Sequence, residues 1–383
     1  MKKIFFVAVS ATLLAAGCQK TEVLNQVNPV DGSAMTFVPN MGKLTKAPTA
    51  EGASETNLSE QDFRLWAYYV ADDPNKGTEA NDIYDKMHNI IISDNNEGWK
   101  STKTHFWPGK GKYLKFFAIS ADEATTGVDE GLTAAGEHVS SKVTVDPVSN
   151  TMTVSGFTVI PAAPDTDLMV ADYVKAKQKE ADGETNTVKF KFNHALTKVQ
   201  FSFRNTETNM PVYVQQMYVE RINTVADLTV NGATDATTMT WGSASAPALF
   251  AGDYVNSGAT TLVYEEAENI EDWNDAVAIN DANYMELTGT YQPFTTWLVI
   301  PQYVYNETEN TDLKVTIAYV IKSGDEYRQF VSTFSLGSAA VVPTWEKNQY
   351  VKYNINLTPN IIGFDAEVKP WEPAEGEGTN INE

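Results

Sequence analysis

Apolar and polar side chains alternate along several stretches in the second half of this chain, and no other feature restricts its fold as much. In KVQFSFR (198–204), Val199, Phe201 and Phe203 are apolar and the residues between them are polar. Successive side chains of a β-strand point to opposite faces, so this period of two predicts half-buried antiparallel strands. The same alternation recurs in DLKVTIAYVIK (312–322) and YVKYNINLT (350–358).

The first half of the chain has the composition of a β protein as well. Runs rich in Val, Ile, Tyr, Phe and Thr occupy residues 63–70 and 113–120. Two further runs, 142–145 and 151–154, flank the turn sequence DPVSN. Clusters of Asp, Asn, Gly and Pro between such runs are typical of turns that join short strands.

The length of 383 residues indicates about two domains. Many short strands with frequent turns predict an all-β fold of two antiparallel β-sandwiches in tandem. The polar, lysine-rich stretch 174–187 predicts an exposed boundary near residue 183. This boundary would separate an N-terminal sandwich at 47–183 from a C-terminal sandwich at 184–371. One short helix is predicted at 270–278.

The N-terminus has the features of an export signal. Two lysines precede a mostly apolar run, 4–16, which is shorter than the roughly 20 residues of a membrane span. Small residues then lead to a Gly-Cys pair, which is typical of a bacterial lipoprotein signal. We therefore expect removal of a signal peptide at 1–17 and attachment of lipid to Cys18, which would anchor the chain. An ordinary signal peptide beside a chance cysteine is the alternative.

The charge and the cysteine content exclude several classes of protein. The formal net charge is −22, and it becomes −24 without the signal peptide, which carries two lysines and no acids. Such an acidic chain is disfavoured as a partner of nucleic acid or of anionic lipid surfaces. Because Cys18 is the only cysteine, no internal disulfide can form, and packing and hydrogen bonds must hold the fold.

The sequence contains no residue pattern typical of a catalytic or metal site. The four histidines are not spaced as on a zinc-binding helix, and no second cysteine can join them. The sequence GKGK at 109–112 lacks the spacing of a phosphate-binding loop. We therefore expect no enzyme, no cofactor and no metal. A hydrolase whose carboxylate pair escapes recognition is kept as a third hypothesis.

The eight tryptophans have two interpretations. Their rings can stack on sugars at a surface, although in a protein of two sandwiches they are more often part of the core. Core positions are favoured. Glycan binding by a surface lipoprotein that does not polymerise stays open as the alternative function.

Four motifs, in order, resemble the fimbrillin family of Bacteroidales. The first combines Trp99 with THFWP (104–108) and the strand that follows it, and the second is FNHALTKV (192–199). The third is LVIPQ (298–302), and the last combines Trp345 and two tyrosines with KPW (369–371). Together these motifs cover residues from about 35 to 371.

The resemblance implies two transthyretin-like β-sandwich domains and a role as a pilus subunit. Such subunits reach the outer-membrane surface as lipoproteins, and a trypsin-like protease then removes an N-terminal segment. A strand of a neighbouring subunit fills the groove that this segment leaves. The implied partners are therefore other pilus subunits and, through Cys18, outer-membrane lipid. No nucleic acid is expected, and a host receptor or glycan is left open.

The resemblance also assigns roles to particular residues. Within an N-terminal propeptide at 18–46, residues 34–39 would form the plug strand, with Met35, Phe37 and Val38 as its apolar members. The cut would fall between Lys46 and Ala47, whereas the family is typically cut after arginine. The candidate donor strand carries alternating apolar residues: Phe364, Ala366, Val368 and Pro370. An acidic tail follows at 372–383.

Overall fold

The structure is a computed structural model, and it describes residues 33–40, 62–70, 81–94, 98–109, 112–120, 142–161, 167–178, 186–207, 209–232, 237–253, 284–324, 326–358 and 362–371. The prediction of an all-β fold is confirmed, since all regular elements in these ranges are strands apart from turns. The helix predicted at 270–278 lies outside them. No helix in this part of the chain is long and apolar enough to cross a membrane.

The strands before residue 210 are β1 (Thr36–Asn40), β2 (Phe63–Tyr69), β3 (Ile90–Asp94), β4 (Trp99–Lys100), β5 (Tyr113–Ser120), β6 (Lys142–Asp146), β7 (Thr151–Thr158), β8 (Met169–Ala171), β9 (Val174–Lys177), β10 (Thr187–His194) and β11 (Thr197–Arg204). The later strands are β12 (Val212–Gly232), β13 (Thr237–Trp241), β14 (Ser245–Asp253), β15 (Met285–Glu286), β16 (Gln292–Val299), β17 (Gln302–Tyr303), β18 (Tyr305–Asn306), β19 (Thr311–Asp312), β20 (Lys314–Ser323), β21 (Glu326–Ser335), β22 (Thr344–Trp345), β23 (Gln349–Leu357) and β24 (Ile362–Pro370).

One sheet closes on itself. Its strand order is β2-β3-β4-β1-β10-β8-β5, and β5 pairs with β2, so these seven strands form a ring; β9 is added at β5. The interior is apolar and rich in aromatic rings, including Phe63, Phe116 and Phe190. Because side chains alternate between the faces of a strand, every second residue of each strand enters this interior.

The remaining large sheets share a second apolar core. One has the order β16-β11-β23-β24, and the other has the order β21-β20-β12-β7-β6 with three further strands on β12. Aromatic and branched side chains from both sheets pack together, among them Phe201, Trp297 and Ile317. The predicted strands at 198–204, 312–322 and 350–358 are present as β11, β20 and β23, but β11 and β23 pair with each other in parallel and not in the expected antiparallel sense.

The expectation of half-burial is wrong for β20, which is buried without interruption from Val315 to Ile321, and for β11. Its polar residues Lys198 and Gln200 are buried as well as its apolar ones. The amide of Gln200 accepts a hydrogen bond from the Tyr350 hydroxyl at 2.7 Å, and the Lys198 ammonium lies 4.8 Å from the centre of the Tyr350 ring. This central strand, flanked by β16 and β23, therefore has both faces covered, and hydrogen bonds satisfy its polar face.

Hydrogen bonding crosses the predicted domain boundary near residue 183. Strand β10, which follows this boundary, belongs to the closed ring, whereas β6 and β7, which precede it, pair with each other and, through β7, with β12. The division at 183 stays a prediction. The closed ring also differs from an open sandwich, because β1 joins β4 to β10.

Candidate functional site

Strand β1 completes the ring from a position early in the chain. It pairs in parallel with β10 over five residues, from Thr36 opposite Thr187 to Asn40 opposite Lys191. Its other edge pairs with β4 only at Phe37 opposite Trp99. Without β1 the ring would therefore open between β4 and β10, and the backbone groups along this edge of β10 would lose their partners.

The segment before β1 is fastened by backbone hydrogen bonds to the loop that precedes β5. The Met35 N–H donates to the His105 carbonyl at 2.8 Å, and the Trp107 N–H donates to the Ser33 carbonyl at 3.1 Å. Ala34 also forms a bridge with Phe106. The THFWP motif thus contributes the loop that holds the entry to β1.

The three proposed plug residues separate into two groups. Met35 and Phe37 are 5% and 3% exposed and belong to the ring core, where the Phe37 ring lies 6.4 Å from the Phe190 ring. Val38 is 46% exposed, because it points to the opposite face of the strand. Burial of the first two side chains contributes about 1.5–3 kcal/mol each.

The wall of this groove was not identified from the sequence. It is β10, whose Val188, Phe190 and Phe192 are buried while Lys189 and Lys191 are exposed. The alternation in TVKFKFNH was a usable signal for a strand. Nothing local indicates, however, that this strand pairs in parallel with residues about 150 positions earlier.

The candidate donor strand β24 has a place of its own in the monomer. It lies at the edge of its sheet and pairs with β23 over nine positions, from Ile362 opposite Leu357 to Pro370 opposite Gln349. Its other edge has no strand neighbour among the described residues. Donation to another subunit would require β24 to leave β23.

The apolar residues of β24 are unequally buried. Phe364 is partly buried, and its ring stacks 5.5 Å from the Tyr353 ring. Ala366 is also partly buried, whereas Val368 is 42% exposed and Pro370 is exposed. The predicted alternation of buried and exposed residues thus holds in the first half of the strand only.

Two acids of β24 differ in their surroundings. Glu367 forms an ion pair of 2.6 Å with Lys369, and this hydrogen bond is the main reason why the pKa of Glu367 lies below its usual range. Asp365 is exposed and makes no ion pair with the described residues. Both acids alternate with the apolar residues.

Trp371, the last residue of the KPW motif, fixes the end of β24. Its buried ring stacks on His194 with 3.6 Å between ring centres and an angle of 8°, and its backbone N–H donates to the Asn348 carbonyl at 2.7 Å. His194 in turn contacts the Asp167 carboxylate through Nδ1 at 2.7 Å. Two of the family-like motifs therefore meet in one buried cluster.

The tryptophans lie mainly in the core, as the sequence favours. Five are buried: Trp66, Trp107, Trp297, Trp345 and Trp371. Trp99 and Trp241 are partly buried, and Trp273 lies outside the described residues.

One open cavity of about 650 Å³ lies where β13, β17 and β22 meet. Trp241 and the 47% exposed Tyr303 line it together with Asn223 and Thr344. No cluster of potential metal ligands occurs within the described ranges.

Several predicted sites cannot be placed. Cys18, the cut between Lys46 and Ala47, and the acidic tail at 372–383 lie outside the described residues.

Comparison with known proteins decides the family. Residues 53–371, which are more than half of the chain, match the fimbrillin-like family. The chain belongs to the fimbrillin-like family. This family consists of structural proteins and not of enzymes. Membership of the family therefore confirms the expectation that the protein has no catalytic activity.

The fimbrillin-like chain is also similar to two individual proteins, one by sequence and one by structure. The fimbrium subunit Fim1C of Phocaeicola vulgatus is 24% identical over 195 residues, which are 50% of this chain and 48% of that protein. The match thus spans about half the length of the curated relative. A crystal structure of a fimbrial protein from Bacteroides vulgatus has 14% sequence identity and a TM-score of 0.56, and the alignment covers 88% of this chain and 99% of the other. This likeness shows a shared fold.

Proposed function

We propose that this fimbrillin-like chain is a structural and adhesive subunit of a cell-surface fimbria. It is exported as a lipoprotein with lipid on Cys18, and a protease removes the segment at 18–46 by cutting between Lys46 and Ala47. Strand β1 then leaves the ring, and a strand of another subunit, with Phe364, Ala366, Val368 and Pro370 as its apolar members, takes its place. The partners are other pilus subunits and the outer-membrane lipid.

The observation that carries the proposal is the position of β1. This strand closes the ring with two buried side chains, Met35 and Phe37, yet it ends at Asn40, shortly before the proposed cut. A cut after Lys46 would convert β1 from a part of the chain into a non-covalently held peptide. It is the one strand of the ring that can be removed without breaking the remainder of the chain.

The free energy that holds β1 in the ring is small enough for the cut strand to dissociate. The two buried side chains contribute about 3–6 kcal/mol together, if backbone hydrogen bonds and the ordering of the strand roughly offset each other. Such a free energy corresponds to a dissociation constant between about 10 mM and tens of micromolar. The plug would be stable while it is attached and would leave after the cut.

Strand replacement also explains why assembly would not stop at a dimer. The vacated groove lies against β10, whereas the donor is β24, on a different sheet. A contact between two different surfaces of the same molecule is heterologous and propagates as a filament. Main-chain hydrogen bonds would supply affinity, and alternate side chains would supply register. As part of the same proposal, the all-β fold comprises two transthyretin-like sandwiches, at 47–183 and 184–371.

Limited trypsin digestion followed by electrophoresis without boiling tests this function. We expect a ladder of oligomers that lack residues 18–46, and no ladder from a Lys46→Ala variant digested in parallel. Quantitative loss of the N-terminal segment with only monomer remaining would refute assembly by strand replacement.

The open cavity supports a second candidate function, the binding of a glycan. The exposed ring of Tyr303 and the half-buried ring of Trp241 offer apolar faces, and Asn223 and Thr344 offer hydrogen-bonding side chains beside them. Ligand sites of several hundred Å³ combine apolar rings with polar groups that fix the orientation of the ligand, and this cavity has both, with polar residues in the majority. Isothermal titration of the uncut monomer with neutral oligosaccharides tests it. Absence of heat at millimolar sugar would exclude this function.

A further inference from the structure

Among the residues that the structure describes, two lysines on the outer face of the groove wall have no acidic partner. Lys189 and Lys191 of β10 are exposed, and neither makes an ion pair or a side-chain hydrogen bond within the described part of the chain. Both lie directly beside β1, opposite Val38 and Asn40. The chain has a net charge of −22 and is therefore rich in acids, yet β1 places an uncharged residue opposite each of these lysines.

The candidate donor carries acids with the spacing that these lysines require. Asp365 and Glu367 are two residues apart on one face of β24, just as Lys189 and Lys191 are on β10. Placing Ile362 where Met35 lies puts Phe364 in the position of Phe37. The same register puts Asp365 opposite Lys189 and Glu367 opposite Lys191, by the pairing that β1 has with β10.

Other registers that keep the apolar face inward fit less well. A shift by two residues places Ala366 in the position of Phe37 and brings Lys369 opposite Lys191. A shift by four places Val368 there and brings Lys369 opposite Lys189. Opposed like charges destabilise a strand pair, whereas opposed unlike charges stabilise it, and a smaller residue leaves the Phe37 position underfilled.

We propose that Lys189 and Lys191 are the register-determining residues of the groove, and that they recognise Asp365 and Glu367 of a second copy of this chain. This inference rests on the proposed strand replacement and specifies it. Strand β1 is uncharged throughout, so apolar burial and hydrogen bonds hold it in the precursor, and it offers these lysines no ion pair. The incoming strand adds two charge pairs that the plug does not offer, and these pairs favour exchange over return of the plug.

A double charge reversal tests the proposal on the full chain after trypsin digestion. Lys189→Glu with Lys191→Glu should slow ladder formation at low salt about tenfold or more, since two attractive pairs become repulsive, and the difference should shrink at high salt. Adding Asp365→Lys and Glu367→Lys to the same chain should restore the rate. Lys314→Glu with Arg328→Glu, which changes the net charge equally on β20 and β21, should leave it unchanged.

The outcomes separate this inference from the proposed function. Slower assembly with rescue by the compensating reversal supports the register. Equal assembly rates of the reversed and unaltered chains, or slowing without rescue, would overturn it while strand replacement stands. If the unaltered chain forms no ladder after losing its plug, the proposed function itself fails and the register fails with it. The unfolding midpoint of each uncut variant confirms that the exposed substitutions leave the precursor folded.

Discussion

Replacement of Phe37 by alanine tests how firmly β1 holds the ring closed. Phe37 is 3% exposed and lies within the ring core beside Phe190. Truncation of a buried phenylalanine costs about 3–5 kcal/mol in well-packed cores, and β1 pairs with β4 at a single position. We therefore expect the lower end, about 3 kcal/mol, in the free energy of unfolding of the uncut chain.

Val38→Ala is the matched control, because it removes apolar atoms from the same strand on the exposed face. Its cost should be within about 0.5 kcal/mol. Urea unfolding of the two uncut variants gives the difference directly. After trypsin digestion, the segment at 18–46 should leave the Phe37→Ala protein at least about a hundredfold more readily, since each 1.4 kcal/mol is tenfold. Once that segment has left, the remaining chains are identical and should behave identically.

Equal destabilisation by the two substitutions would refute this reasoning. It would mean that β1 is not held through its inward face, and that loss of the strand would expose no apolar groove for a partner.

Four other changes test separate parts of the structure. Phe364→Ala should weaken assembly about tenfold or more in the ladder assay, because Phe364 takes the buried Phe37 position in the proposed register, whereas Val368→Ala should have a small effect, because Val368 lies beyond the stretch that replaces β1. Trp371→Ala should speed amide hydrogen exchange in β23 and β24 while leaving β11 and β16 unchanged, since the ring stacked on His194 holds the end of β24. Asp146→Asn should lower the free energy of unfolding, measured with urea, at neutral pH but not in strong acid. Hydrogen bonds from Ser149 and the Val148 N–H lower the pKa of Asp146 in the folded state. The stabilisation from this carboxylate is therefore present above its unfolded-state pKa and is lost as the pH falls through the lower folded-state pKa. Tyr303→Ala should abolish any saccharide heat in titration if the cavity is a glycan site.

Local patterns in the sequence predict the strands that have one consistent environment. The alternation in β23 and the apolar run of β5 appear in the structure almost residue for residue, because the period of side-chain exposure is a property of the strand itself. The burial of both faces of β11 is different. It depends on the Tyr350 ring from another strand, which covers Lys198 and Gln200.

The candidate site depends on pairings that no local pattern contains. The apolar character of Met35 and Phe37 marks them as a strand, but their parallel partner β10 lies about 150 residues later. Closure of the ring by β1, and the membership of β10 in that ring although it follows the predicted boundary, depend on this distant pairing. The charge match between β10 and β24 depends on the register in which β1 pairs with β10.

A site-directed disulfide between subunits tests most directly whether β24 of one chain occupies the place of β1 in another. In the proposed cut the only natural cysteine, Cys18, would leave with the segment at 18–46, so Lys189→Cys and Asp365→Cys would supply the two thiols of the cut chain. Neighbouring strands hold paired residues within the Cα distance that a disulfide needs, about 4.4–6.8 Å. After digestion and mild oxidation, we predict covalent ladders that survive boiling and collapse on reduction, whereas Lys189→Cys with Glu367→Cys gives few. Ladders that form without boiling but yield no covalent cross-link from either pair would contradict replacement of β1 by β24, and cross-links from the 189–367 pair alone would contradict its register.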